Sequence, residues 1–213
     1  MEKTVSSRIS LSKTRKLTLL AALTAILIVM SVTPIGYLKV GLIEITFNMI
    51  PVVIGAILLG PLGGAVLGGV FGATSFMQAL GILGASPLGA VLLGINPIGM
   101  FVTCIVPRVA MGWLSALIFK GLYKIDKTKF VSFVVACLSG ALLNTVLFMG
   151  SLLAFFLNTE LIQGFVTELG NGNVFKFLLA FVGINGLVEA IVCTIVGAAI
   201  AKVLQKLLTA RIR

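Results

Sequence analysis

Read for polarity alone, the chain is a series of long apolar runs broken by short clusters of charge, glycine and proline. Six runs approach the ~20 apolar residues that a helix needs to cross the hydrocarbon of a bilayer. They lie at about 17–35, 44–60, 62–81, 97–120, 130–157 and 177–203. The second and third are divided only by Gly60-Pro61, a break that predicts an antiparallel pair, because one helix over both would overrun the bilayer. Residues 82–96, ILGASPLGAVLLGIN, are apolar but carry Pro87 and several glycines, and they read as a loop lying in or over the protein. The first run follows MEKTVSSRISLSKTRK in the manner of a signal peptide. It is nearer twenty residues than ten, and SVTPIGY lacks a small-x-small cleavage pattern, so an uncleaved first helix is expected. The pattern predicts an all-α integral membrane protein with six transmembrane helices in a single domain over residues 1–213.

Composition agrees. Hydrophobic residues make up 59% of the 213 and charged residues 10%, against about 25% charged in an ordinary soluble domain. Too few charges are present to cover a soluble surface. The 16 basic and 6 acidic residues give a net charge of +10. On a soluble protein that excess would suggest nucleic acid; here the basic residues sit at the edges of the apolar runs, where they orient the chain against the headgroups. Lys3, Arg8, Lys13, Arg15 and Lys16 precede the first helix, Lys120, Lys124, Lys127 and Lys129 follow the fourth, and Lys202, Lys206, Arg211 and Arg213 end the chain. With six spans these all fall on one side, which the positive-inside rule makes cytoplasmic together with both termini. The other side holds Lys39, Lys176, Glu44, Glu160 and Glu168. No aromatic–basic interleaving suggests base stacking, and no nucleic-acid partner is expected.

The polar residues inside the runs carry the chemistry. Arg108 stands midway between Asn96 and Lys120, Asn144 and Thr145 midway between Lys129 and Glu160, and Glu189 midway between Lys176 and Lys202. A charged side chain at the bilayer centre costs roughly 2.5–3.5 kcal/mol on insertion scales, so these residues are expected to face inward at a common depth. Asn185 shares a helix face with Glu189. One outcome is an Arg108–Glu189 ion pair pinned by Asn144 that only fixes packing; the other is a polar site for a solute, since a guanidinium has five donors and one glutamate leaves some free. Pro107 removes a backbone donor and frees carbonyls near the midplane. Asn96, Asn48 and Gln78 are further polar positions, each suited to a helix–helix hydrogen bond or to a ligand. Gly64, Gly68 and Gly72 form a stripe that permits close helix approach, within the chain or to a partner, and Ala21 and Ala25 make a shorter small-residue step.

Several chemistries are absent. No histidine is present, which removes histidine zinc sites and histidine-based nucleophilic catalysis. Cys104, Cys137 and Cys193 are far apart without CxxC spacing and read as small apolar core residues. No GxxxxGK[ST] loop is present, so no ATP hydrolysis, enzymatic activity, cofactor or metal is expected of the chain itself. A solute binder that borrows an ATP-driven engine fits better than a proton relay, which usually chains several carboxylates.

The segments FNMIPVVIGAILLGPLGGAVLGGVFGATSF, NPIGMFVTCIVPRVAMGWLSALIF, LLNTVLFMG and INGLVEAIV resemble the substrate-binding S components of energy-coupling factor (ECF) vitamin transporters, over residues 15–205. The PR, NT and NG…E elements at 107–108, 144–145 and 185–189 resemble the pantothenate-type branch. The resemblance implies a six-helix bundle in a prokaryotic plasma membrane that takes up a vitamin, docked on a transmembrane coupling subunit and two cytoplasmic ATPases. It also implies a ligand among helices four to six, capped by the loops 36–46 and 82–96, and contact of Ala21 and Ala25 with the coupling subunit. Pantothenate, a small anion with hydroxyl and amide groups, suits Arg108 and Asn144. Riboflavin is less well served by one Trp and two Tyr, and another vitamin or a queuosine-type precursor is a further option. The alternative function is a stand-alone ion-coupled transporter or channel built around Glu189.

Overall fold

A computed structural model describes residues 12–210 apart from 35, 41, 42 and 85; the side chains of 38–40, 43, 44, 184, 185, 209 and 210 also lie outside the description. Lys3, Arg8, Arg211 and Arg213, and the side chains of Lys39, Glu44 and Asn185, are therefore outside the described residues.

Helix α1 runs over Lys13–Val32 and is followed by an antiparallel hairpin, β1 (Tyr37–Val40) and β2 (Ile43–Thr46), in which Tyr37 faces Thr46. Then come α2 (Met49–Leu59), α3 (Pro61–Ala79), α4 (Pro87–Ile95), α5 (Pro97–Ile125), α6 (Val131–Phe156), α7 (Glu160–Gly170) and α8 (Val174–Val192). A π-helical turn, Cys193–Gly197, leads into α9 (Ala198–Ala210). Among the described residues, five helical segments are long and apolar enough to cross a membrane: Lys13–Val32, Pro61–Ala79, Pro97–Ile125, Val131–Phe156 and Gly186–Leu208.

Two expectations are corrected. The second apolar run does not begin its helix at 44: residues 43–46 pair as a strand, and α2 has only 11 residues, a length of about 16 Å at 1.5 Å per residue. The β-branched Ile43, Ile45 and Thr46 favour the strand. The connector 82–96 holds a helix, α4, because Pro87 is a good first-turn residue and the run after it is apolar. The stretch before the last run likewise holds α7, capped by Thr159 Oγ1 accepting from the Ile162 amide. The break at Gly60-Pro61 stands as expected: Gly60 takes φ 82°, and Pro61 opens α3. Asp126 closes the turn into α6, accepting from the amide and hydroxyl of both Ser132 and Thr128 at 2.7–2.9 Å. The Ser132 amide is the main cause, Thr128 assisting, of that carboxyl being held well below the usual carboxylate range.

The glycine stripe is used within the chain. A Cβ on Gly64 would strike the Gly112 carbonyl, one on Gly68 the Arg108 carbonyl, and one on Gly72 the Ile105 Cα and Cys104 carbonyl at 2.7 and 2.8 Å. Bare backbone on α3 therefore lets α5 approach to backbone contact along three turns. Two apolar cores result. One gathers Phe71, Met111, Phe133, Ala141 and Ala190; the other gathers Met100, Cys104, Leu152, Phe156 and Phe181. Each of α3, α5, α6 and α8 contributes to both. Arg108 lies between Cys104 and Met111 on α5, and Asn144 between Ala141 and Leu152 on α6, so both fall between fully buried residues of the two cores.

Filling the stripe should be costly. Gly68→Ala is expected to lose about 1–3 kcal/mol, the usual cost of overpacking, and to lower the unfolding midpoint in detergent. Gly69→Ala, whose Cβ meets only Val109 Cγ2 at 3.7 Å, should leave that midpoint unchanged or slightly raised. Equal behaviour of the two variants would contradict the packing described.

Candidate functional site

Arg108 and Asn144 line a cavity of about 150 Å³. Its polar wall comprises Tyr37 and Thr46 from the hairpin, Ser75 and Gln78 from α3, and Ser86 ahead of α4. Arg108, Asn144, Thr145 and Glu189 complete it from α5, α6 and α8. The apolar wall is formed by Leu88, Leu92, Met100, Cys104, Phe148 and Phe181, among others. An apolar cavity with a few convergent polar groups is the usual form of a small-molecule site.

Arg108 is 7% exposed. Its Nη1 donates to the Thr103 carbonyl at 2.6 Å. The guanidinium carbon lies 4.5 Å from the centroid of Phe148 and 5.4 Å from that of Phe71, close enough for both rings to attract the cation. Among the described residues Nε is buried without a hydrogen-bond partner, as is Asn144 Oδ1. One donor and one acceptor are thus left unsatisfied on side chains that line the same cavity.

Glu189 is 6% exposed and lines the cavity. The Arg108–Glu189 ion pair considered from the sequence is not formed: Glu189 Oε1 instead accepts from the Thr46 backbone amide at 2.7 Å. A carboxylate–amide hydrogen bond of this kind is charge-assisted and strong. It ties the base of β2 to α8, while the Tyr37 hydroxyl and Ser75 Oγ, 2.9 Å apart, tie β1 to α3. Burial pushes the Tyr37 phenol above its ordinary value, hydrogen bonding to Ser75 opposing the shift, so the hydroxyl stays protonated. The hairpin is pinned on both sides of the cavity.

The other expected residues divide. Gln78 reaches the cavity wall, with Nε2 donating to the Ser31 carbonyl at 3.2 Å. Asn48 is fully buried behind the wall, where Nδ2 donates to Ser31 Oγ at 3.2 Å and the backbone amide donates to Thr46 Oγ1 at 3.4 Å. Asn96 does not line the cavity; its Oδ1 caps α5 by accepting from the Gly99 amide at 2.9 Å. Ala21 and Ala25 are exposed on α1, which buries only Leu23, Leu27 and Ser31. Cys104, Cys137 and Cys193 are buried free thiols.

Sequence reasoning missed Phe148 and Phe181 as wall residues. A helical signal for them existed: Phe148 is four residues from Asn144 and Phe181 eight from Glu189, so each repeats the inward face of its helix. Ser75 and Ser86 had no such signal, because small hydroxyl residues are common in membrane helices and loops alike.

The comparisons with known proteins agree with this architecture. Residues 15–201 match the model of the family described as "ECF transporter, substrate-specific component". The chain is also 29% identical over 200 residues to the pantothenate transporter PanT of Leuconostoc mesenteroides subsp. mesenteroides, covering 91% of this chain and 93% of that one. That family consists of transporter components rather than enzymes, and the long apolar helices fit a multi-pass membrane protein. The chain belongs to the substrate-specific components of ECF transporters.

Proposed function

We propose that the chain captures pantothenate at the outer face of a bacterial plasma membrane and passes it inward with an ECF coupling subunit and two cytoplasmic ATPases. In this reading both termini are cytoplasmic and the short α2 completes six membrane passages. The observation that carries the substrate assignment is Arg108. It is buried in an apolar bundle, it lines a cavity, and among the described residues it has no ion-pair partner and its Nε has no hydrogen-bond partner. A guanidinium so placed suits a carboxylate, which it binds through two parallel hydrogen bonds. Asn144 Oδ1 supplies an acceptor for a hydroxyl or amide N–H, so the polar groups match a hydroxylated amide with a carboxylate at one end. The similarity to a pantothenate transporter supports the same substrate.

The cavity is about the size of an engineered cavity that holds benzene. A solute as long as pantothenate therefore enters with the hairpin or α4 displaced. Exposed Ala21 and Ala25 give α1 a smooth face on which the coupling subunit docks.

Binding to the purified chain tests the reading. Pantothenate should bind saturably without partners. Arg108→Ala should weaken it about 10–100-fold, the value of the 1.5–3 kcal/mol that a hydrogen bond to a charged group contributes. Arg108→Lys should recover only part of that loss, because a lysine cannot reproduce the two-donor fork. Calorimetry in detergent checks both, and unchanged affinity in Arg108→Ala would remove the carboxylate from this site.

Reconstitution tests the division of labour. Vesicles holding the chain alone should take up no pantothenate under a proton gradient, whereas vesicles with the coupling subunit, the ATPases and ATP should. Ala21→Leu with Ala25→Leu should abolish that uptake while leaving binding intact. Gradient-driven uptake by the chain alone would establish the ion-coupled alternative.

A further inference from the structure

The way Arg108 is held leads to the residue before it. In a regular helix the amide of residue 107 donates to the carbonyl of residue 103. Residue 107 is proline, which has no N–H to give and whose ring crowds that carbonyl. Helix α5 nevertheless runs from Pro97 to Ile125 through Pro107. The Thr103 carbonyl is left without its helical donor in a residue that is 0% exposed, and a buried carbonyl needs a partner. Arg108 Nη1 is that partner, at 2.6 Å.

We propose that Pro107 is a positioning residue for Arg108: by withholding an amide hydrogen, it leaves the Thr103 carbonyl as a fixed acceptor that sets which edge of the guanidinium faces the cavity. This rests on the reading of Arg108 as the carboxylate-binding group. The reach is natural, since long side chains on a helix lean toward its N-terminus and so lie over the preceding turn. Phe71 and Phe148 confine the guanidinium by its faces. With Nη1 committed to Thr103, the edge carrying Nε and Nη2 is the two-donor edge left for a ligand. Nε is the atom buried without a partner. The proline thus adds, to the two rings, a third constraint on a group that rotates about four side-chain bonds. An amide at position 107 would compete with Nη1 for the same carbonyl, and the guanidinium would lose the anchor that fixes its edge.

Pro107→Ala and Pro107→Leu both restore the amide hydrogen. In each, the unfolding midpoint should be unchanged or raised, because the helix regains a hydrogen bond, while pantothenate affinity falls about tenfold or more. A proline with only a structural role would not separate the two readouts in that direction. A second measurement needs no ligand. The chain has five arginines, so with nitrogen-15 arginine the Arg108 guanidinium can be assigned by its absence in Arg108→Lys. Wild type should show slow rotation with separate Nη signals, and both proline variants should show these merged. Wild-type affinity and wild-type Arg108 signals in both variants would overturn the proposal, as would a loss seen in only one of them, which would report side-chain packing. Should wild type bind no pantothenate, the functional reading fails while the Arg108 signals still decide the role of Pro107.

Discussion

Burying one guanidinium in an apolar bundle is the constraint around which the middle of this protein is arranged. The cost is met locally. The Thr103 carbonyl accepts from Nη1, and two phenylalanine rings face the cation. Gly68 brings α3 against the Arg108 backbone so closely that a methyl group would strike its carbonyl. These contacts hold the arginine without neutralising it. A direct ion pair would have spent its charge, and the nearby carboxylate is engaged elsewhere.

That carboxylate explains how the cavity is closed. Glu189 on α8 accepts from Thr46, Ser75 on α3 meets Tyr37, and the hairpin that joins α1 to α2 is held over the cavity from two sides. Asn48 behind the wall and Gln78 within it both hydrogen-bond to Ser31, in the last turn of α1. The membrane-length segment with the smallest buried share is therefore connected by polar bonds to the wall of the site. In a bundle whose apolar contacts are as favourable to lipid as to one another, such bonds and the glycine contacts give the packing its register.

Much of this was legible in the chain. A polar residue in the middle of an apolar run must turn inward, so Arg108, Asn144 and Glu189 could be grouped before any fold was known, and they line one cavity. The glycine spacing announced a close helix contact but not its partner, because spacing describes one surface and a contact needs two. The hairpin was hidden: residues 43–46 are apolar and β-branched, and apolar content alone does not separate a strand from the start of a helix. The Arg108–Glu189 pairing was one of the two outcomes that opposite charges at one depth left open. It failed because a backbone amide, which no sequence pattern displays, reached the carboxylate instead. Asn96 and Asn48 look equivalent to Gln78 as letters, yet one caps a helix, one lies behind the wall and one lines it. Such differences depend on a few ångströms of three-dimensional placement.

The central claim is that Arg108 is kept charged and unpaired in order to take the carboxylate of a solute. The most direct test compares pantothenate with pantothenol, in which a hydroxymethyl group replaces the carboxylate, binding to wild type and to Arg108→Ala by calorimetry. Wild type should prefer pantothenate by about tenfold or more, and the variant should show no preference. Equal binding of the acid and the alcohol by wild type, or a preference that persists without the arginine, would contradict the account.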